Sequence, residues 1–159
     1  MRYKILLIIL IFTSCESQNS KTIDKSELKN VINKIVDNWH KAATETNDSI
    51  FFNSMAENSI YIGTDKNELW TKKEFYNFAI NYFERGKAWD FKPIERNIYF
   101  SNNNEIIWFD EKLDTWMGVC RASGVMKQIE KEWKIVHYHL SMTIPNEKVK
   151  DIIEIIGKE

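Results

Sequence analysis

The stretch Trp133-Lys-Ile-Val-His-Tyr-His-Leu-Ser-Met-Thr-Ile-Pro-Asn146 decides the fold class. Its β-branched and aromatic residues are typical of a strand, and Pro145 ends it because proline has no N–H for a ladder. Both alternating faces carry apolar residues, and one face adds two imidazoles and a hydroxyl to aromatic bulk. This mixture predicts the wall of a pocket in a curved sheet. The predicted face consists of Trp133, Ile135, His137, His139 and Ser141.

Three further strands precede this one, because the apolar period of two continues backwards along the chain. They are predicted over residues 89–100, 105–113 and 116–129. Polar turn residues separate them, and Pro93 indicates an edge position or a bulge in the first.

The first half of the chain has the apolar period of helices. Residues 23–46 carry one apolar stripe, and Asp24 with Glu27 has the spacing of a capping box at its start. Asp48 predicts the cap of a short second helix that extends to Met55. Helices followed by an antiparallel meander predict an α+β fold with helices on one face of a bent sheet.

Two more helices flank the strands. After a strand over residues 59–63, Thr71 and Glu74 have capping-box spacing and predict a helix that Gly86 ends. Trp70 and Phe75 have the spacing of its hydrophobic staple. Asn146 predicts the cap of a last, amphipathic helix within residues 148–159.

Residues 1–14 have the pattern of a secretory signal. Arg2 and Lys4 precede a short apolar run that cannot form a permanent membrane-spanning helix. Phe12-Thr-Ser-Cys15 resembles the lipobox of bacterial lipoproteins, where the cysteine is acylated and becomes the mature N-terminus. We therefore expect an exported protein that is anchored in the cell envelope at Cys15, with residues 15–22 as a polar tether. An ordinary signal peptide cleaved near Ser14 is the alternative.

Composition limits the partners. Removal of residues 1–14 takes away two of 22 basic residues and none of the 23 acidic ones, so the net charge becomes −3. This balance argues against nucleic acid, which needs a clustered basic surface. With Cys15 acylated, Cys120 is the one remaining thiol, which excludes an intramolecular disulfide. No CxxC or HExxH spacing is present, so we predict neither a metal nor a cofactor.

Two segments resemble a known family. The first is Ile62-Gly-Thr-Asp-Lys-Asn-Glu-Leu-Trp-Thr-Lys-Lys-Glu-Phe75, which is similar to the strand-to-helix entry of SnoaL-like domains in the nuclear transport factor 2-like superfamily. The second is Arg121-Ala-Ser-Gly-Val125 with the histidine strand, which resembles their closing hairpin. The resemblance covers residues 24–147 and assigns residues 23–147 to one domain. Glu57 and Asn58 depart from the pattern where related domains often have an aspartate.

The resemblance implies a cone, in which a strongly curved antiparallel sheet wraps round the N-terminal helices and leaves a pocket. It also implies a homodimer that forms through the outer sheet face. Residues 148–159 lie beyond the similarity and are expected to be an addition.

His139 and Asp110 are the candidate acid–base pair. A partly buried imidazole can exchange a proton near neutral pH, and a carboxylate beside Trp108 would have its neutral form favoured by desolvation. Tyr61 is the candidate hydrogen-bond donor. The alternatives are a histidine held by structural hydrogen bonds and an aspartate that begins an exposed loop.

The remaining candidates would line a ligand pocket. Arg121 can clamp a carboxylate ligand, unless it forms an ion pair with Asp110 or Glu111. His137 shares the predicted face of His139 and has a structural alternative as well. The complete predicted pocket is Trp39, Tyr61, Trp70, Trp108, Arg121, His137 and His139. Tyr82 and Trp116 are further candidates for an aromatic lining, with core packing favoured for Tyr82.

Three functions are compatible with this pattern. The first is an envelope lipoprotein that binds a small, partly apolar molecule in its cone. The second is a small enzyme of isomerase, cyclase or hydratase type that uses His139 and Asp110. The third is a dimeric protein-interaction module. The second requires the two side chains to converge on one cavity, which spacing along the chain does not determine.

Overall fold

Helices and strands follow one another in the predicted order in the computed structural model, which describes residues 24–157. The helices are α1 (Lys25–Thr44), α2 (Asp48–Asn53), α3 (Lys72–Glu84) and α4 (Val149–Ile156). The strands are β1 (Met55–Ile62), β2 (Leu69–Thr71), β3 (Lys92–Phe100), β4 (Ile106–Thr115), β5 (Gly118–Ile129) and β6 (Glu132–Met142). Within the described range, no helix is both long enough and apolar enough to cross a membrane.

The six strands form one curved, open sheet in the order β2-β1-β6-β5-β4-β3, with helices against its inner face. The predicted α+β cone is therefore confirmed. The sheet is mixed, however, because β1 runs parallel to β6 while all other neighbours are antiparallel. These two strands are separated by residues 63–131, which include α3 and four strands, so no hairpin forces them to be antiparallel.

Several element boundaries differ from the predicted ones. Met55 begins β1 and does not belong to α2, whose N-cap is Asn47 and not Asp48. The strand predicted from residue 89 begins at Lys92. The expected cap Asn146 starts a 3₁₀ turn without a side-chain capping bond, and α4 follows it. The predictions for residues 1–23 and 158–159 lie outside the described residues.

The start of α3 agrees with the sequence. The Thr71 side chain accepts a hydrogen bond from the Glu74 backbone, and the Glu74 carboxylate accepts one from the Thr71 backbone. The Trp70 and Phe75 rings stack with their centroids 5.4 Å apart. This capping box and staple fix the direction in which α3 leaves β2.

A β-bulge reverses the faces of β6. The neighbouring residues Val125 and Met126 pair with His137 and Ile135, so Val136 is an extra residue on β6. Beyond it the alternation shifts by one position, and Tyr138 joins Ile135 on the inner face. The prediction that Ile135, His137 and His139 share one face is therefore wrong.

One inner row crosses all six strands and forms the centre of the core. In register, it consists of Ile98, Phe109, Gly124, Tyr138, Tyr61 and Trp70. Four of the six residues are aromatic, and α1 adds Trp39, whose ring lies 4.7 Å from that of Tyr138. Gly124 leaves room for the Phe109 ring, which a Cβ at this position would overlap.

Candidate functional site

A cavity of about 150 Å³ opens where β1, α3 and the β4–β5 turn meet. We call it the mouth cavity. Its walls are mainly aromatic. The loop between β1 and β2 adds backbone atoms and one carboxylate, that of Glu68, to the lining. The lining residues are Tyr61, Gly63, Thr64, Glu68, Trp70, Phe75, Phe78, Trp89, Trp116, Met117 and Leu140.

The loop between β1 and β2 holds the carboxylate in place. One oxygen of Glu68 accepts hydrogen bonds from the backbone N–H groups of Thr64 at 2.9 Å and Asp65 at 3.1 Å. The Gly63 N–H donates to the Glu68 carbonyl at 2.8 Å. A Cβ at Gly63 would collide with the Glu68 side chain, so this close approach requires glycine.

The aromatic wall is a continuous stack. Phe75 lies between Tyr61, at 4.0 Å between centroids, and Trp70, at 5.4 Å. Trp70 also stacks on Phe78 at 4.7 Å. Because each ring is held by the next, the wall is pre-formed for a ligand.

Tyr61 supplies a polar group to this wall. Its side chain is buried and forms part of the cavity lining. Burial first, and then the charges of Glu68 and Glu111, raise the pKa of Tyr61. The phenol therefore keeps its proton at neutral pH, and its O–H group can donate a hydrogen bond to a ligand.

A buried polar cluster lies next to the mouth cavity. One Glu111 oxygen is 2.8 Å from His40 Nε2 and accepts from the Tyr138 hydroxyl at 2.9 Å. The other accepts from Arg96 Nε at 2.8 Å. We call Glu111, His40, Tyr138 and Arg96 the Glu111 cluster. Tyr138 connects it to the cavity, because its ring stacks on Tyr61 at 5.6 Å.

The partners of Glu111 determine its charge. Burial favours the neutral carboxyl and raises its pKa, but the hydrogen bond and charge of His40 and the ion pair with Arg96 lower it more. The pKa of Glu111 therefore lies below its ordinary value, and the carboxylate is ionised at neutral pH. Conversely, burial and the Glu111 charge raise the pKa of Tyr138.

Arg96 extends the Glu111 cluster to helix α1. Its Nη1 donates to the Asp37 carboxylate at 2.7 Å and to the Asn33 side chain at 3.2 Å. One guanidinium thus joins β3, β4 and α1, while His40 adds a second contact from α1 to β4. These bonds fix the helix across the open end of the inner face.

The structure places the predicted pair His139 and Asp110 on the outer face. Asp110 pairs with Ser123, and Ser123 pairs with His139, so the two candidates are two strands apart. Neighbouring strands lie about 4.8 Å apart, which separates their backbones by roughly 10 Å. They share a row but do not converge on the mouth cavity.

Each member of this pair has other partners. Asp110 accepts a hydrogen bond from the Tyr99 hydroxyl at 2.9 Å, and its carboxylate lies 3.9 Å from Nη1 of Arg121. Arg121 therefore forms the ion pair that the sequence offered as the alternative to ligand binding. His139 Nε2 lies 3.1 Å from Ser141 Oγ. His139 also borders a surface groove of about 630 Å³ between the end of β6 and α4.

The other predicted pocket residues separate into three places. Tyr61 and Trp70 line the mouth cavity, as does Trp116. Trp39 is fully buried in the core, where its ring stacks on Phe51 at 4.9 Å. The remaining three lie on the outer face: Trp108, Arg121 and His137. Burial and the charge of His139 lower the pKa of His137.

Sequence reasoning missed Glu68 and the Glu111 cluster. It considered Asp110 in place of Glu111 because residues 106–109 are apolar on both faces, so alternation does not show which of the two neighbours points inward. The pattern Ile107, Phe109, Glu111, Leu113 is the signal that identifies the inner face. Within residues 24–157, no three His, Cys, Asp or Glu side chains are placed to hold a metal ion.

Comparison with known proteins agrees with this architecture. The family profile of the SnoaL-like domain matches residues 32–145. An NTF2-like protein from Pseudomonas putida has a similar structure, with a TM-score of 0.62, 11% identity, and coverage of 77% of this chain and 92% of that one. The comparison with curated proteins found no match.

Two further solved structures share the fold. The association domain of CaMKII from C. elegans has a TM-score of 0.58 and 13% identity, and covers 73% of this chain and 96% of that one. A protein from Shewanella frigidimarina, described as a candidate ketosteroid isomerase, has a TM-score of 0.56 and 19% identity, with coverage of 68% and 92%. These identities establish similarity of fold alone.

The fold is that of the nuclear transport factor 2-like superfamily. Within it, the chain belongs to the SnoaL-like domain family, as the resemblance in its sequence implied.

Proposed function

We propose that this protein binds a small, partly apolar molecule in the mouth cavity. The observation that carries the proposal is the stacked aromatic wall with two polar groups, the Glu68 carboxylate and the Tyr61 hydroxyl. Apolar surface combined with a few placed polar groups is the usual make-up of a ligand site. The volume of about 150 Å³ limits the enclosed part of the ligand to a few heavy atoms.

We expect Trp116→Ala to weaken ligand binding by roughly two- to tenfold, the range for one lost aromatic contact. Trp116 lines the cavity but is 84% exposed, so its removal should leave the fold intact. Native mass spectrometry of residues 21–159, purified gently and titrated with metabolite extracts, measures the retained ligand.

The matched control is Trp108→Ala, which removes a half-exposed tryptophan from the outer face. It should retain the ligand like the unaltered protein. Equal retention by both variants, or a clean unliganded mass under all conditions, would contradict binding in the mouth cavity.

An acid–base enzyme is the alternative function. The geometry gives no support to His139 and Asp110 as its catalytic pair, because they lie two strands apart on the outer face. The titratable side chains that line the mouth cavity are Glu68 and Tyr61, and isomerase chemistry there would have to use them.

We also propose that the protein is a homodimer that associates through the outer face of β3–β6. Exposed apolar side chains on this face include Tyr99, Trp108 and Val119. Acidic and basic groups lie side by side among them, with Lys112 2.8 Å from Glu95. A twofold axis can bring such a face against its own copy with opposite charges opposed. The similar CaMKII structure is an association domain.

We expect Trp108→Glu to convert the dimer to a monomer, because it buries a charge in the proposed interface. Sedimentation velocity at micromolar concentration measures the mass. The control Ile50→Glu places the same charge at a half-exposed apolar position on α2, in the opposite layer. A monomer before any substitution, or dissociation by both variants, would exclude this interface.

Finally, we propose that Cys15 is acylated and holds the protein in the bacterial cell envelope. The basic residues, short apolar run and cysteine at the start of the sequence support this. We expect Cys15→Ala to move the protein from the membrane fraction to the soluble fraction. Fractionation of cells that express the variant measures this change. Unchanged membrane association would contradict the anchor.

A further inference from the structure

The mouth cavity has an uneven chemical character. Six of its lining residues are aromatic: Tyr61, Trp70, Phe75, Phe78, Trp89 and Trp116. The formal charge in the lining is the Glu68 carboxylate, and no lysine, arginine or histidine among the described residues belongs to it. A ligand that enters therefore meets aromatic ring systems and a negative group.

Both features favour positive charge. The face of an aromatic ring is electrostatically negative and attracts an ammonium group, and tryptophan does so most strongly. Stacking covers both faces of Trp70, which lies between Phe75 and Phe78, so the lining ring that offers a face to a cation is Trp116, which is 84% exposed. A carboxylate beside the rings adds a direct Coulomb attraction, which grows as the site excludes water.

Backbone groups of the loop hold one oxygen of the Glu68 carboxylate. That oxygen accepts from two backbone N–H groups, at 2.9 and 3.1 Å, which orient the side chain but do not cancel its charge. The Tyr61 phenol keeps its proton, so its hydroxyl can take part as a neutral hydrogen-bonding group.

Size adds a further restriction. Ligand sites for drug-sized molecules measure about 300–1,000 Å³, whereas the mouth cavity has about 150 Å³. A space of this size encloses a compact head group and not an extended molecule. It matches a substituted ammonium group, with the rest of the ligand directed outwards past Trp116.

We propose that the mouth cavity selects a small organic cation, a quaternary or protonated amine, with its charged group between the face of Trp116 and the Glu68 carboxylate. This inference rests on the proposed function, namely that the cavity binds a small molecule at all. It adds the charge class of the ligand. The ligand can be a free amine or the amine end of a larger molecule.

The test compares two probes of equal shape. Choline is the cation, and its isostere with carbon in place of the quaternary nitrogen is the neutral control. Isothermal titration calorimetry of the protein with each probe gives both affinities. We expect choline to bind about tenfold more tightly or better, since ring and carboxylate contacts each favour the charged form.

Glu68→Gln isolates the carboxylate. Glutamine retains a side-chain oxygen that can accept from Thr64 and Asp65, so the loop should keep its shape. We expect this variant to lose about tenfold in choline affinity and little for the neutral isostere. Glu105→Gln is the matched control, because Glu105 precedes the opposite end of β4 from Trp116 and should change neither affinity.

A ring variant provides a second readout that does not depend on Glu68. Trp116→Leu keeps an apolar side chain at the cavity but removes the π-face. Choline affinity should therefore fall more than isostere affinity. Equal losses for both probes would overturn the role of the rings.

The outcomes separate this inference from the proposed function. Equal affinity for the two probes overturns cation selection and leaves small-molecule binding intact. Failure of both probes, with a neutral or anionic molecule retained in native mass spectra, has the same meaning. Failure of both probes with no retained molecule overturns the two proposals together.

Discussion

Replacement of Glu111 by glutamine is expected to lower the free energy of unfolding by about 3–5 kcal/mol. Glu111 is 1% exposed and is the acceptor for His40, Tyr138 and Arg96. An amide has the same shape, but it cannot balance the Arg96 charge, and its NH₂ group faces donors. Breaking a buried ion pair from one side is costly because the Arg96 guanidinium, whose side chain is 5% exposed, then keeps only the half-exposed Asp37 carboxylate as its ionic partner.

Urea unfolding followed by circular dichroism measures the loss. The matched control is Asp110→Asn, one residue earlier on the same strand. Asp110 points to the outer face and makes partly exposed contacts with Tyr99 and Arg121, so its loss should stay within about 1 kcal/mol. Similar losses for the two variants would mean that the Glu111 cluster does not carry stability.

The same two variants also test how the free energy of unfolding depends on pH. The folded-state pKa of Glu111 lies below its ordinary value of 4.5, so the folded protein prefers the ionised form. The stabilisation is then complete above the unfolded pKa and is lost as pH falls through the folded pKa. Asp110→Asn should retain this acid-dependent loss below about pH 4.5, whereas Glu111→Gln should have less of it. An unchanged acid profile in Glu111→Gln would contradict this assignment.

Gly124→Ala is expected to lower the free energy of unfolding by about 1–3 kcal/mol. A Cβ at this position would lie 2.6 Å from Phe109 Cε1, well inside ordinary contact. The Phe109 ring is fully buried in the inner row beside Tyr138, so it can move only by disturbing neighbouring rings. Alanine normally favours a strand over glycine, so a loss here reports the steric conflict.

Two controls test the cause. Ser123→Ala changes the adjacent residue of β5, which points outwards, and should shift stability by less than about 0.5 kcal/mol. Combining Gly124→Ala with Phe109→Leu should cost less than the sum of the single losses, because the smaller side chain makes room. Additive losses in urea unfolding would show that the Phe109 ring is not responsible.

Local patterns in the sequence determined much of this protein. The capping box of Thr71 and Glu74 and the staple of Trp70 and Phe75 involve neighbours along the chain, so their geometry follows from spacing. The same holds for the apolar stripe of α1 and for the succession of strands. The family resemblance then predicted the curved sheet. Local patterns and the resemblance together placed Tyr61 and Trp70 among the candidate pocket residues, and both line the mouth cavity.

Tertiary structure alone decided which face of each strand forms the interior. One extra residue at Val136 inverts the alternation along β6, and it moves His137 and His139 to the outer face. A bulge depends on the register with β5, which sequence spacing on β6 does not reveal. On β4 there is no bulge, but residues 106–109 are apolar on both faces, so it was the packing of the sheet that decided that the inward carboxylate is Glu111 and not Asp110. The Glu111 cluster joins residues up to 98 positions apart, from His40 to Tyr138, so only packing of α1 on the sheet could bring them together.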